Sequence, residues 1–258
     1  MIFIDTHTHL YSDQFDEDRD EVVNRAIESG VQKFFLPNID SNSVHGMHKL
    51  VDEYPENCFP MMGLHPCSVN ENWKSQLDEL KPWLSKRKYI AIGEIGIDLY
   101  WDKTTLKYQK AAFAEQIKWA KEMKLPIAIH VRDAFNETFE VLDELNDDNL
   151  NGVFHCFTGT LEQAKKIINY GGFKLGVGGV LTFKNSGLDQ TIKEIDLSHL
   201  ILETDSPYLA PTPKRGKRNE SDYTTLIASK LAEVKSCSIE DIADSTTKNA
   251  LELFDTVK

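Results

Sequence analysis

Tyr89-Ile-Ala-Ile-Gly-Glu94-Ile95 is a run of aliphatic residues broken by one carboxylate. A run this short and this continuously apolar suits a strand covered on both faces. An ionised Glu inside it is costly without a partner. Seven more short apolar runs share its character: Ile2–Asp5, Lys33–Asn38, Phe59–His65, Pro126–Val131, Gly152–Phe157, Phe173–Gly178 and Leu200–Thr204. Their centres recur about every 28 residues, enough for a strand, a crossover helix and two short loops. Helical patterns lie between them. Phe135, Thr138, Phe139, Leu142 and Leu145 share one helix face, as do Leu161, Ala164 and Ile168. Thr160-Leu-Glu-Gln163 fits a capping box, and Ser238-Ile-Glu-Asp241 marks a second helix start before Ile242, Ala243, Ala250 and Leu253. Eight strand–helix units in a row favour a closed (β/α)8 TIM barrel over an open doubly wound sheet. No linker or composition shift divides residues 1–258, which predicts a single domain with extra C-terminal helices. Ala210–Asp222 is a long polar excursion after the last strand.

The composition is that of an ordinary globular chain, with 41% hydrophobic and 27% charged residues, and excludes a disordered or collagen-like protein. No run approaches the roughly 18 apolar residues of a membrane span, so no membrane partner is expected. The start, Met-Ile-Phe-Ile-Asp5, has neither a basic segment nor an apolar run of signal-peptide length. Cys58, Cys67, Cys156 and Cys237 form no CxxC pair. Free thiols and a cytoplasmic location are the expectation. The net charge of −12 argues against a non-specific nucleic-acid coat, but not against local binding of a phosphodiester with help from metal ions.

His7 and His9 stand two apart at the end of the first strand, so both imidazoles and Asp5 share a face. The chain has 8 histidines, and His65, His130 and His155 also fall at C-terminal strand ends. Chance would put roughly one there. That rim is where (β/α)8 enzymes build their sites. His45, His48 and His199 lie elsewhere and read as solvated or structural. Glu94 and Asp205 join the same rim. Each alone is as well explained as a buried carboxylate paired with Arg or Lys. With the histidines they form a set typical of two borderline divalent cations: imidazole plus oxygen, no thiolate. Cys156, next to His155, is expected on the opposite face and is not counted.

His7-Thr-His9, Gly63-Leu-His65-Pro66, Gly93-Glu-Ile-Gly-Ile-Asp98, His130-Val-Arg132, His155-Cys-Phe157, Glu203-Thr-Asp205-Ser-Pro207 and Arg215-Gly-Lys-Arg218-Asn-Glu220 occur in this order. Together they resemble the TatD family of metal-dependent deoxyribonucleases, within the amidohydrolase superfamily. The resemblance runs from residue 2 to about 255. One departure is Ser221-Asp222, where the family has Pro after Asn-Glu. The resemblance implies that His7, His9 and Asp205 hold one metal, that His130 and His155 hold a second, and that Glu94 bridges both. His65 and Arg132 would face the substrate. Glu203, two residues before Asp205, would orient ligands from a deeper layer. Mg²⁺ is the family's usual activator, while the ligand chemistry also accepts Zn²⁺, Mn²⁺ or Co²⁺.

A phosphodiester resists hydroxide because both are negative. Two cations about 3.5–4 Å apart neutralise that charge and lower the pKa of water. Asp205 is placed to take the nucleophile's proton and return it to the leaving oxygen. The run Lys214-Arg-Gly-Lys-Arg218 carries four positive charges directly after the strand that bears Asp205. Arg215, Lys217 and Arg218 are candidate phosphate contacts there, although such runs are most often solvated loops. Tyr100 and Trp101 can stack on a base or pack on their own loop. The expected activity is hydrolysis of DNA as an exonuclease, with DNA as the partner and no obligate protein partner. The alternative enzyme is an amidohydrolase acting on a small amide, ester or lactone. A barrel that keeps metals as structural ions fits less well, because the ligand set leaves coordination positions open.

Overall fold

The computed structural model describes residues 1–257. Eight strands form one parallel sheet in sequential order: β1 Phe3–Asp5, β2 Val31–Leu36, β3 Cys58–Met62, β4 Ala91–Asp98, β5 Ile127–Arg132, β6 Gly152–Phe154, β7 Phe173–Val177 and β8 Leu200–Leu202. Between and after them run α1 Arg19–Glu28, α2 Ser43–Glu53, α3 Trp73–Leu80, α4 Leu106–Met123, α5 Phe135–Leu145, α6 Leu161–Asn169, α7 Leu188–Lys193, α8 Thr224–Lys235 and α9 Ile239–Leu253. The sheet closes just beyond β1 and β8. There the amide of Thr6 donates to Leu202 (3.1 Å), that of Asp205 to His7 (2.9 Å) and that of His9 to Ser206 (2.7 Å). The expected (β/α)8 barrel is therefore the observed fold. Among the described residues, no helix is long and apolar enough to cross a membrane.

The runs read as strands are strands because both of their faces are covered; β4 is buried along its whole length. One apolar cluster joins the outer face of the sheet to the surrounding helices. A second takes Ile4, Phe35, Met61, Ala91, Ala128, Val153 and Ile201 from seven strands and Ala250, Leu253, Phe254 and Val257 from the C-terminal segment. This is the inside of the barrel, and α9 plugs its N-terminal mouth. Both capping boxes form: Thr160 and Gln163 exchange hydrogen bonds at the start of α6, and Ser238 and Asp241 do so at α9.

Strand ends differ from expectation where motif residues leave the ladder. β2 stops at Leu36 and β3 at Met62, short of Asn38 and His65. Beyond them side chains take over the backbone groups. Asn38 Nδ2 donates to the Gly63 carbonyl (2.8 Å), and the Leu64 amide donates to Gln116 Oε1 (2.7 Å). These bonds carry the chain across the C-terminal mouth of the barrel.

Candidate metal centre

Alternation along the inner face connects the plugged interior to this mouth. Two residues above Ala128 stands His130, and two above Val153 stands His155. Above Ile201 come Glu203 and then Asp205. Glu94 breaks the pattern. The β4–β5 register shifts between Ile92 and Ile95, giving β4 one extra residue. Such a bulge re-aims side chains. Gly93 then also faces inward, where a Cβ would lie 2.7 Å from that of Ala128.

Glu94 is the centre of the cluster. Its Oε2 lies 3.1 Å from His7 Nε2 and 3.6 Å from His9 Nε2. Asp205 Oδ1 stands 3.6 Å from His9 Nε2 and 4.0 Å from His7 Nε2 on the same side. The other oxygen, Oε1, lies 2.9 Å from His130 Nδ1, 3.0 Å from His155 Nε2 and 3.3 Å from His65 Nε2. The structure thus brings together His7, His9, Glu94, His130, His155 and Asp205, with His65 beside them.

What stands behind each imidazole decides which nitrogen carries the proton. Tyr11 Oη donates to the Pro37 carbonyl (2.5 Å), so it accepts from His9 Nδ1 (3.0 Å). His9 Nε2 therefore presents a lone pair to the cluster. Asp98 Oδ2 stands 2.8 Å from His130 Nε2, leaving Nδ1 to face inward. Glu203 Oε1 stands 3.3 Å from His155 Nδ1. That contact is off the line of an aligned hydrogen bond, and His155 Nδ1, His7 Nδ1 and Glu203 Oε2 have no hydrogen-bond partner among the described residues. Glu203 fits only because residue 176 is glycine: a Cβ there would lie 2.2 Å from Glu203 Oε2. His65 is arranged the other way. Its Nδ1 accepts from the Cys67 amide (3.1 Å), so in the neutral ring Nε2 carries the proton and donates towards Glu94. His65, Glu94 and His130 are close enough to hold an ion, but a protonated Nε2 is a donor to substrate, not a metal ligand.

Sequence reasoning did not single out Asp98 and Tyr11. The first ends the same strand as Glu94, and the second follows His9 by two residues. Their signal is a hydrogen bond, which residue spacing does not reveal.

The donor set fits a divalent cation: imidazole lone pairs and carboxylate oxygens converge, held by outer hydrogen bonds. Burial opposes charge on Glu94, yet His65, His155, His7 and His130 outweigh it and hold the carboxyl well below its ordinary range. Burial also opposes charge on His155, but Glu94 and Glu203 raise it well above the usual imidazole value. His7 is lowered, by burial first and then by His155, whose ring stacks on it at 3.7 Å between centroids. Asp205 is lowered: its neighbouring histidines, His9 first, overcome burial. Burial opposes charge on Asp98, but His130 first, then the amides of Trp101 and Tyr100, outweigh it and hold the carboxyl at about 2.

Asp5, expected on the ligand face, instead faces Thr204. It accepts from the Thr204 amide (2.9 Å) and hydroxyl (2.6 Å) and stitches β1 to the end of β8. Burial pushes its carboxyl up to about 7. Cys156 also departs from expectation, because β6 ends at Phe154 and alternation does not extend to it. Burial, with Asp205, Glu203 and Glu94 nearby, raises its thiol well above the usual range, so it stays protonated and offers no thiolate. Its amide donates to Glu203 Oε1 (2.5 Å).

The basic run divides. Arg218 donates to both oxygens of Asp18 (2.8 and 2.6 Å), to Glu220 Oε1 (3.0 Å) and to the Gln14 carbonyl (2.6 Å). These bonds make it a tether between loops in this structure, with its charge already met, unlike the other two cations expected to contact phosphate. Arg215 and Lys217 are exposed and have no carboxylate partner among the described residues; Arg215 lies 3.6 Å over the Phe183 ring. Arg132 is exposed two residues beyond His130, with its guanidinium 3.7 Å over Tyr100.

Comparison with known proteins agrees with this geometry. Residues 4–255 match the family described as TatD related DNase. A Bacillus subtilis relative, the uncharacterized metal-dependent hydrolase YabD, is 38% identical over 98% of this chain and 99% of its own. A 3'-5' ssDNA/RNA exonuclease TatD from Rahnella is 32% identical over 95% of both chains. The crystal structure of YjjV, a TatD homologue from Escherichia coli, superposes with a TM-score of 0.92 at 30% identity over 98% of each chain. A barrel whose mouth gathers five histidines around one bridging-competent Glu, matched along nearly its whole length, belongs to the TatD family of metal-dependent hydrolases.

Proposed function

We propose that the protein hydrolyses phosphodiester bonds of DNA as an exonuclease and uses two divalent cations, Mg²⁺ first among Mg²⁺, Mn²⁺, Zn²⁺ and Co²⁺. The observation that carries this is the division of Glu94. One oxygen faces His7 and His9, with Asp205 beside them, and the other faces His130 and His155. The first group would hold one cation, the second the other, with Glu94 shared. When bound, such a pair offsets the charge of a phosphodiester and makes hydroxide available near neutral pH.

The chain's own groups do the rest. Asp205, kept ionised by its histidine neighbours, accepts the proton of the attacking water as the new P–O bond forms. It returns that proton to the leaving oxygen as the old bond breaks. His65 Nε2–H and Arg132 bind the phosphate oxygens. Arg215 and Lys217 hold phosphates farther along the strand, which gives an acidic protein a local anion-binding edge. The exonuclease name of the Rahnella relative supports the same activity.

The test is one panel: chelated protein with Mg²⁺, Mn²⁺, Zn²⁺ or Co²⁺ restored, on labelled single- and double-stranded DNA, RNA, an aryl phosphodiester and small lactones. Metal-dependent release of nucleotides from a DNA end is expected. Turnover of lactones or esters without any phosphodiester would replace the nuclease with the amidohydrolase alternative.

A further inference from the structure

Trp101 is the most exposed large hydrophobic residue described, at 71%, and its neighbour Tyr100 is 53% exposed. We propose that Trp101, backed by Tyr100 and Arg132, seats the unpaired base of the nucleotide beside the bond being cut. The proposal rests on the nuclease activity proposed above.

Three observations carry it. The first is order. Asp98 Oδ1 accepts from the amides of Tyr100 (2.9 Å) and Trp101 (3.3 Å), while its Oδ2 bonds His130 Nε2 (2.8 Å). One carboxylate thus fixes the aromatic loop and a cluster histidine together, so a ring at this place is held in register with the chemistry. The second is shape. Tyr100 and Trp101 meet edge to face, with centroids 4.9 Å apart and planes at 90°. The Arg132 guanidinium covers Tyr100 at 3.7 Å and stands 5.6 Å from the Trp101 ring. Tyr100 and Arg132 therefore buttress the indole, and the indole is the surface left open. The third is charge. Arg132 and Lys103 are offset by Asp102 and Asp133, all exposed. The patch therefore carries no excess charge beyond what Arg132 needs to reach the scissile phosphate, and the open indole suits the face of a base, which any nucleotide offers if unpaired. Phosphates farther along the strand are drawn to the edge bearing Arg215 and Lys217.

The experiment pairs cleavage with binding. Single-stranded oligonucleotides carry one abasic (tetrahydrofuran) residue, stepped inward from the cleaved end. Wild-type protein should slow about tenfold or more at one position, the scale of a lost base–aromatic stack. Trp101→Ala should cut the abasic and normal strands alike, and Trp101→Phe should recover part of the preference. In chelator, where nothing is cut, an oligonucleotide should quench tryptophan emission in wild type and much less in Trp101→Phe. If wild type ignores the abasic residue, or Trp101→Ala keeps the full preference, the stacking seat is wrong while the nuclease activity stands. If wild type cuts no oligonucleotide with any metal and none quenches it, the nuclease proposal falls and the seat with it. Concentration-dependent self-association abolished by Trp101→Ala would also overturn the seat, assigning the patch to a second copy of the chain.

Discussion

Ala128 and His130 on β5, Val153 on β6 and His155 just past its end, and Ile201 on β8 and Glu203 just past its end are pairs on the same inward face, one layer apart. The lower layer is apolar and closed by α9 and the residues that follow it, where Phe254 meets Phe35 with centroids 4.9 Å apart. The upper layer is polar, and its groups are held by one another. Two residues of strand separate the part of the barrel that makes it fold from the part that makes it react. Changes in the upper layer should therefore cost chemistry with little stability, and changes in the lower layer the reverse.

The largest expected effect is in the upper layer. Asp205→Asn keeps the size of the side chain but removes the proton acceptor, and turnover should fall by about 10²–10⁴-fold. Its thermal midpoint should stay near that of wild type. Glu94→Gln should do more, lowering the content of both cations at once, because Glu94 alone faces both groups of ligands. Metal analysis by equilibrium dialysis checks this, and loss of one cation with full retention of the other would break the bridging assignment. In the lower layer, Phe254→Ala should cost ~3–5 kcal/mol in urea unfolding. Turnover per folded molecule at low temperature and metal content should remain. If this substitution emptied the metal centre at a temperature where the chain stays folded, the two layers would not be separable.

These layers were not equally legible in the sequence. The strand runs give the barrel because burial on both faces leaves a continuous apolar signature. His130, His155, Glu203 and Asp205 follow by counting in twos from buried residues. Glu94 does not. Alternation from Ile92, which packs outside the barrel, would also send Glu94 outward if β4 lacked its bulge, and the one local hint of that bulge is Gly93 within the strand. Counting also fails for Asp5 and Cys156: Asp5 is the last residue of β1 and turns to Thr204, so the alternation that would join it to His7 breaks there, and β6 ends at Phe154, two residues before Cys156. The ion pair of Arg218 was not legible for another reason: its partner Asp18 is 200 positions away, and an ion pair between distant loops leaves no local mark. Tyr11 went unnoticed, and Asp98 was only the end of a motif with no role given to it, because a residue that fixes a neighbour's tautomer has no spacing of its own.

That last class gives an intermediate prediction. Tyr11→Phe keeps the ring but removes the oxygen that accepts from His9 Nδ1. His9 then divides between tautomers, and affinity for the cation on the Oε2 side of Glu94 should weaken by about 10–100-fold. The cation on the Oε1 side should hardly change. Competition with a chromophoric chelator resolves the two, and ¹⁵N spectra of the metal-free protein report the His9 tautomer directly. Equal weakening at both sides would mean that Tyr11 acts through general packing.

The smallest effect lies at the rim, in the basic run, and there too neighbours should part. Arg215 and Lys217 are exposed without carboxylate partners among the described residues, so their charge is available to a polyanion. Neutralising both should flatten the dependence of DNA affinity on salt, since fewer counterions are released. The slope of log K against log salt should fall by up to about 0.7 per contact on single strands and about 0.9 on duplex. Stability should not move. Arg218→Gln should do the opposite. Its charge is already met by Asp18 and Glu220, so the slope should hold. The cost should be a modest loss of stability, roughly 1 kcal/mol for a partly exposed pair. Asp18→Asn should reproduce that loss without altering the salt slope. If Arg218→Gln flattened the slope as much as the Arg215/Lys217 pair, the tether would be one that opens when DNA binds, and all three cations would belong to the anion-binding edge.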